Sequence, residues 1–222
     1  MRLVTWNIGR SSVTHEAAWH YLLSWLKPDV ACVQEALGIA HRLVEMRGCI
    51  VWSKARPGGT GVFIRRGIEF SRISSSLDGS YLAAVSVSML GLVIPVFSVH
   101  VGPESWKNQE ALEPWLINQV RSGPCICGGD FNTSRAYSSK HKAYLERLIE
   151  SGVHDCHWAK HKREVPSFWG HQSRVAKYQD DHFFMSRSIA DSVRDCWVDD
   201  NPLTRILSDH GPVVLDLEVT AG

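Results

Sequence analysis

The sequence predicts an α/β fold in which strands and helices pack as the layers of a sandwich. Three observations carry this. Strand-like and helix-like segments alternate through the first two thirds, and the last third is rich in strands. No internal repeat, low-complexity tract or long linker divides the 222 residues. The whole chain, 1–222, therefore reads as a single domain, long enough to bury a substantial core.

The chain opens on a strand, RLVTWNI (2–8). From His15 to Lys27, Ala18, Tyr21, Leu22, Trp25 and Leu26 recur at helical spacing, and Pro28 ends the run. DVACVQE (29–35) is a second strand that closes on a carboxylate. A short helix is expected over 40–46, then strands near 49–54 and 60–66, parted by the glycine-rich RPGGTG (56–61). The β-branched runs YLAAVSVSM (81–89) and LVIPVFSVH (92–100) flank Leu90-Gly91, a hairpin pattern. Glu104 to Val120 is helical, with a kink or restart expected at Pro114. A strand through CICGGD and a helix over 141–150 follow. Strands at 181–186, 193–198 and 213–219 complete the chain.

Composition narrows the function classes. Apolar residues make up 44% and charged residues 21%, ordinary for a soluble globular protein. A formal net charge of +1 argues against a grip on nucleic acid through a broad basic surface. Local clusters exist at Lys54-Ala-Arg56, Arg65-Arg66 and HWAKHKR (157–163), each readable as a solvated face or a phosphate contact. No apolar stretch approaches the roughly 18 residues that span a membrane, and the start lacks the apolar segment of a signal peptide. Cys32, Cys125 and Cys127 lie in strand-like runs. Cys125 and Cys127 share a strand face, a poor arrangement for bonding each other, and Cys-x-Cys lacks the paired arms of a zinc site. The cysteines are read as reduced core residues of a cytoplasmic, monomeric protein.

Polar residues collect where apolar runs meet turns: Asn7, Glu35, His100, Asp130 and Asn132, Asp180 and Asp181, Asp209 and His210. Each alone has a bland reading as a turn former, a surface carboxylate or a satisfied core histidine. GGDFN poses the choice most sharply. Asp130 and Asn132 either close an Asx-type turn or, being two apart on an extended segment, reach one small object together. The glycines let the backbone turn or let another group approach closely. As a set, these carboxylates come without a lysine or arginine among them and would repel one another. A divalent cation removes the difficulty, and oxygen-rich donors favour Mg2+ or Mn2+ over zinc.

Taken in order, T-W-N, Q-E, S-V-H, G-G-D-F-N and S-D-H resemble the endonuclease/exonuclease/phosphatase superfamily, the deoxyribonuclease-I-like fold. GDFN and SDH in this order are the specific parts. The resemblance implies a four-layer sandwich, with two mixed β-sheets face to face and helices outside, and metal-dependent cleavage of a phosphoester. It makes Glu35 the principal metal carboxylate, supported by Asn7. Asp130 orients or deprotonates the attacking water, with Asn132 beside it; both also count among the metal residues, and Asp209 binds metal directly or through water. His210 contacts the scissile phosphate and is held by Asp181. His100 steadies the phosphate or protonates the leaving group. Either Asp130 or the His210–Asp181 pair activates the water.

Departures bear on the substrate. Gly9 stands where several repair nucleases carry an aspartate, and Gln179-Asp180-Asp181 replaces the usual Arg-Ile-Asp. The segment PSFWGHQSRVAKYQDD (166–181) interleaves Phe168, Trp169 and Tyr178 with Arg174 and Lys177 beside Asp181. Of these, Trp169, Arg174, Lys177 and Tyr178 are the candidate substrate contacts, able to stack on bases or an abasic sugar; the competing reading puts Phe168 and Trp169 in the core. The sequence thus favours a nuclease acting on DNA. A phosphatase or phosphodiesterase on a small molecule or lipid headgroup comes second. A noncatalytic binding module comes last, since the metal-site residues are all kept.

Overall fold

The computed structural model describes residues 1–9, 13–36, 41–53, 59–74, 77, 81–102, 106–170 and 177–218. The basic pair Lys54 and Arg56 and the candidate contact Arg174 lie outside the described residues. In chain order the elements begin with β1 (Arg2–Asn7), α1 (His15–His20), β2 (Val30–Ala36), α2 (His41–Arg47), β3 (Gly48–Trp52) and β4 (Gly59–Arg65). There follow β5 (Phe70–Arg72), β6 (Leu82–Met89), β7 (Leu92–His100), α3 (Trp106–Ser122), β8 (Ile126–Asp130) and α4 (Ser139–Glu150). The last are β9 (Val153–Asp155), α5 (Cys156–His161), β10 (Asp181–Ser186), β11 (Val193–Val198), α6 (Thr204–Leu207) and β12 (Val213–Leu217).

The strands form two six-stranded sheets, ordered β11-β12-β1-β2-β4-β3 and β5-β6-β7-β8-β10-β9. Each is mixed. β1 and β2 run parallel in the first, β7 and β8 in the second, and the remaining pairs are antiparallel. Alternation sets the layers. Leu3, Val30, Cys32, Val62 and Ile64 meet Val85, Val87, Ile94, Val96, Ile126 and Phe183 in the core between the sheets. The opposite face of the first sheet, Val4, Trp6, Ala31 and Val33, is covered by Ala18, Trp19 and Leu22 of the first helix and its π-helical continuation Tyr21–Leu26. Phe97, Val99, Cys127 and Phe184 of the second sheet pack under Leu112, Trp115 and Leu116 of α3 and Tyr144, Leu145 and Leu148 of α4. Removing this much apolar surface from water is the main stabilising term.

α3 is continuous across Pro114, because the buried Leu112, Trp115 and Leu116 hold both halves against the sheet and outweigh the lost backbone hydrogen bond. Strands β5 and β9 and helices α5 and α6, each three to six residues long, escaped the periodicity reading because so few turns carry little pattern. The six cysteines carry free thiols. No helix among the described residues is long and apolar enough to cross a membrane.

Candidate active site

A strand–helix–strand crossover returns the second strand parallel to the first and so brings both carboxyl ends to one side. β1 and β2 are linked this way through α1, and β7 and β8 through α3. Asn7 therefore ends β1, Glu35 lies near the end of β2, His100 ends β7 and Asp130 ends β8. β10 runs antiparallel to β8 and begins on Asp181, directly opposite Asp130. β12 runs antiparallel to β1, so the preceding Ser208-Asp209-His210 arrives at the same end.

The side chains meet across the gap between the sheets. Asn7 Nδ2 donates to Asp130 Oδ2 at 2.9 Å. His100 Nε2 lies 3.5 Å from Glu35 Oε1 and 3.8 Å from Asp130 Oδ2. His210 pairs with Asp181 at 2.8 Å (Nδ1 to Oδ2) and turns Nε2 toward Asp130 Oδ2, 3.8 Å away. Asp130, Asp181 and His210 are all buried, and one ligand atom of each lies within 4.8 Å of the others.

GGDFN is built for close approach. A Cβ on Gly129 would collide with the Val99 carbonyl of β7, and one on Gly128 with the Phe183 ring of β10. Glycine at both positions lets β8 sit between those strands and deliver Asp130. Beyond the strand both sequence readings meet. Asn132 N donates to Asp130 Oδ1 at 3.0 Å, closing an Asx-type turn. Asn132 takes a left-handed φ of +47°, and its side-chain amide donates to the Val101 carbonyl. The extended-strand argument for a shared face thus fails at Asn132, which lies in the turn and fixes the Asp130 carboxylate through its own N–H.

Glu35 owes its place to a bulge. The β2–β4 register shifts between Val33 and Ala36, and Glu35 has a φ of +52°, a conformation L residues seldom hold outside functional sites.

Two serines that the sequence reading did not single out as ligands hold the His210 side of the site. Ser167 Oγ donates to Asp181 Oδ2 at 2.7 Å and accepts the N–H groups of Asp180 and Asp181. Ser208 Oγ donates to the Asn7 carbonyl at 2.7 Å and accepts His210 N–H. Only chain topology brings Ser167 to Asp181, so no local signal could have found it.

Electrostatics follow from this crowding. Burial alone would lower His210, but the carboxylates of Asp181 and Asp130 hold it well above the ordinary histidine range. Burial also lifts Asp181, against His210; we place the shared proton on His210. Asp180 is pushed up to about 8, chiefly by burial and then by Asp130. Asp181 Oδ1 is buried without a hydrogen-bond partner. Glu35 and Asp130 each face His100 Nε2, and hard carboxylate oxygens are the donors that suit an oxygen-preferring divalent cation.

Other expected contacts fare unevenly. Asn7 is occupied, its amide on Asp130 and its oxygen accepting Gly9 N–H at 3.0 Å. Gly9 has a φ of +76°, and a Cβ there would lie 3.7 Å from Asp209 Oδ1, so glycine suits the turn beside Asp209. Trp169 is corrected: its ring is fully buried, and Nε1 donates to the Ser208 carbonyl at 3.2 Å. It supports the SDH turn from inside and cannot stack on a substrate. Lys177 is exposed. Tyr178 bridges to Phe168, which bridges to His210, and the Tyr178 ring meets exposed Tyr137 edge to face at 5.2 Å.

The model of the Endonuclease/Exonuclease/phosphatase family matches residues 4–210. No curated protein matches the sequence. Several solved structures are similar. One is the 3′ phosphatase NExo from Neisseria bound to product DNA hairpin, with 20% identity, TM-score 0.76, and 98% of this chain and 99% of that one covered. An AP endonuclease from Archaeoglobus fulgidus has 18% identity and TM-score 0.78, with 99% and 100% covered. The endonuclease domain of TRAS1, a telomere-specific non-LTR retrotransposon, has 18% identity and TM-score 0.75, with 98% of each covered.

Proposed function

The chain belongs to the endonuclease/exonuclease/phosphatase family, and on that premise we propose that it is a Mg2+- or Mn2+-dependent nuclease that hydrolyses DNA phosphodiester bonds. The observation that carries the reading is the buried His210–Asp181 pair facing Asp130, with His100 close to both Glu35 and Asp130. Glu35 would hold the cation, with Asp130 and Asp209 as further oxygen donors. The bound metal would neutralise charge on the phosphoryl oxygens and the departing alkoxide.

The chain's own groups supply the remaining chemistry. Asp130, held by Asn7 and by the Asn132 N–H, orients the attacking water and takes its proton as the new P–O bond forms. His210, kept cationic by its carboxylates, donates from Nε2 to a phosphoryl oxygen, where preorganised donors count most. Asp181 accepts from Nδ1, which orients the ring and stabilises the imidazolium. As the old P–O bond breaks, His100 protonates the alkoxide. Tyr178 stacks on a nucleotide beside the scissile bond, with Lys177 near the strand. A neighbouring 3′ phosphatase bound to product DNA hairpin and a neighbouring AP endonuclease support DNA as the substrate class.

The test is turnover by the purified protein with Mg2+ or Mn2+ on duplex, single-stranded, abasic and 3′-phosphate oligonucleotides. A sphingomyelin analogue and an inositol phosphate run alongside. Faster turnover of either small phosphoester than of every oligonucleotide would overturn the reading in favour of a small-molecule or lipid phosphoesterase.

A further inference from the structure

At the same end of the sandwich, away from the catalytic groups, a cleft of about 330 Å³ opens between the edges of the two sheets, lined by Trp52, Ser53, Arg72, Ser74, Leu77 and Leu82 among others. Strand direction fixes its place. β3 is antiparallel to β4, and β4 to β2, so β3 finishes at the end where Glu35 lies. β5 is antiparallel to β6, and β6 to β7, so β5 finishes at the end of His100. Trp52 and Arg72 are the last residues of these two edge strands, each two strands from the catalytic groups. At about 4.8 Å per strand, Trp52 lies about 10 Å from Glu35. Arg72 pairs with Val85 and Val85 with Val96, four residues short of His100, so at about 3.3 Å per residue Arg72 lies about 16 Å from His100. These distances correspond to about three to five nucleotides of stacked strand.

The lining has the chemistry of a phosphate site. Ser53 is 9% exposed, and its hydroxyl is buried without a hydrogen-bond partner, a cost that a bound acceptor would remove. Arg72 is exposed and pairs with no carboxylate among the described residues. Ser74 adds a second hydroxyl, whereas the Trp52 side chain packs with the helix-facing cluster of the first sheet and Leu77 and Leu82 with that of the second. Guanidinium and hydroxyls suit a phosphate.

Resting on the nuclease reading above, we infer that this cleft is a second phosphate subsite. It takes the phosphate of a substrate nucleotide three to five positions from the scissile bond on Arg72, Ser53 and Ser74.

The experiment is a length series: single-stranded oligonucleotides with one cleavable bond, extended one nucleotide at a time on either side. Wild-type kcat/KM should rise on one side when the chain reaches three to five nucleotides. Arg72→Ala should remove that rise, about ten- to hundredfold for one charge-assisted contact. It should also lower the salt dependence of binding by about 0.7 in log–log slope, the share of one phosphate on a single strand. Ser53→Ala, which loses no charge, should remove part of the rise and leave the slope unchanged. Neither variant should change hydrolysis of bis(p-nitrophenyl) phosphate. A length dependence and salt slope untouched by Arg72→Ala would overturn the subsite and leave the nuclease standing. Equal losses on the small diester would put Arg72 in the fold and also overturn it. Wild-type protein that cleaves the small diester but no oligonucleotide would remove the nuclease reading, and the subsite with it.

Discussion

Replacing Asp181 with Asn tests the centre of the site, because one buried contact connects the two groups. The His210 Nδ1 to Asp181 Oδ2 distance is 2.8 Å, and a hydrogen bond to a charged partner contributes about 1.5–3 kcal/mol. If that energy holds the imidazolium in place, Asp181→Asn should lower kcat/KM about 10- to 150-fold. His210→Ala removes the donor itself, and losing one such donor costs about 10²- to 10³-fold. The double variant should be little slower than His210→Ala alone, since Asp181 acts only through His210. The pH profile adds a second readout. Carboxylates raise His210 against its burial, so activity requiring the imidazolium persists below its pKa and is lost as pH rises through it. Asp181→Asn weakens that support and should move the basic limb toward lower pH, measured at saturating Mg2+. Losses that multiply in the double variant, with an unmoved basic limb, would refute the pairing as a functional unit.

Glu35→Gln keeps the size and removes the charge, so turnover at limiting Mg2+ should fall on the order of 10²-fold and recover in part with excess Mn2+ in a metal titration. Tyr178→Ala should weaken oligonucleotide binding about 5- to 150-fold, the cost of about 1–3 kcal/mol for one lost stack, while hydrolysis of an aryl phosphodiester stays level. His157 is pulled down to about 4, first by burial and then by His161, so it folds neutral. The unfolded chain takes up the extra proton below its ordinary pKa of about 6.5, so this stability is whole above that pH and drains away as pH falls toward 4. Urea unfolding of His157→Gln should show a smaller drop between pH 7 and pH 4.5 than wild type.

Much of the fold was legible because long strands and helices repeat their apolar spacing. DHFFMS and VRDCWV occupy the predicted residues 181–186 and 193–198, since flanking turns mark both ends. The site was legible as a set of strand ends, because parallel strands joined by helices put their carboxyl ends together. What stayed hidden depended on contacts between distant segments. Phe168-Trp169 read equally as a stacking surface or a core strand, and burial of Trp169 under the SDH turn settles it for that ring. Ser167 carries no motif, yet it donates to Asp181 across 14 residues of chain.

Glu35 shows how a side chain named from a motif still needs a device to reach its place. Val30 and Cys32 face the core between the sheets, while Ala31 and Val33 face the helices. Strict alternation would put Glu35 with the latter, buried under α1 and far from His100. The bulge between Val33 and Ala36 inserts one residue, and the left-handed φ of Glu35 turns its carboxylate inward to His100. Ala36 then resumes the helix-facing side. The strained conformation costs on the order of 1–3 kcal/mol, and the paired strands on either side hold it in place. Of the other non-glycine residues with positive φ, Asn132 belongs to the site, Lys27 and Lys162 cap helices, and Leu90 forms a hairpin turn. A left-handed residue inside a strand is therefore confined, among the described residues, to the carboxylate proposed to carry the metal.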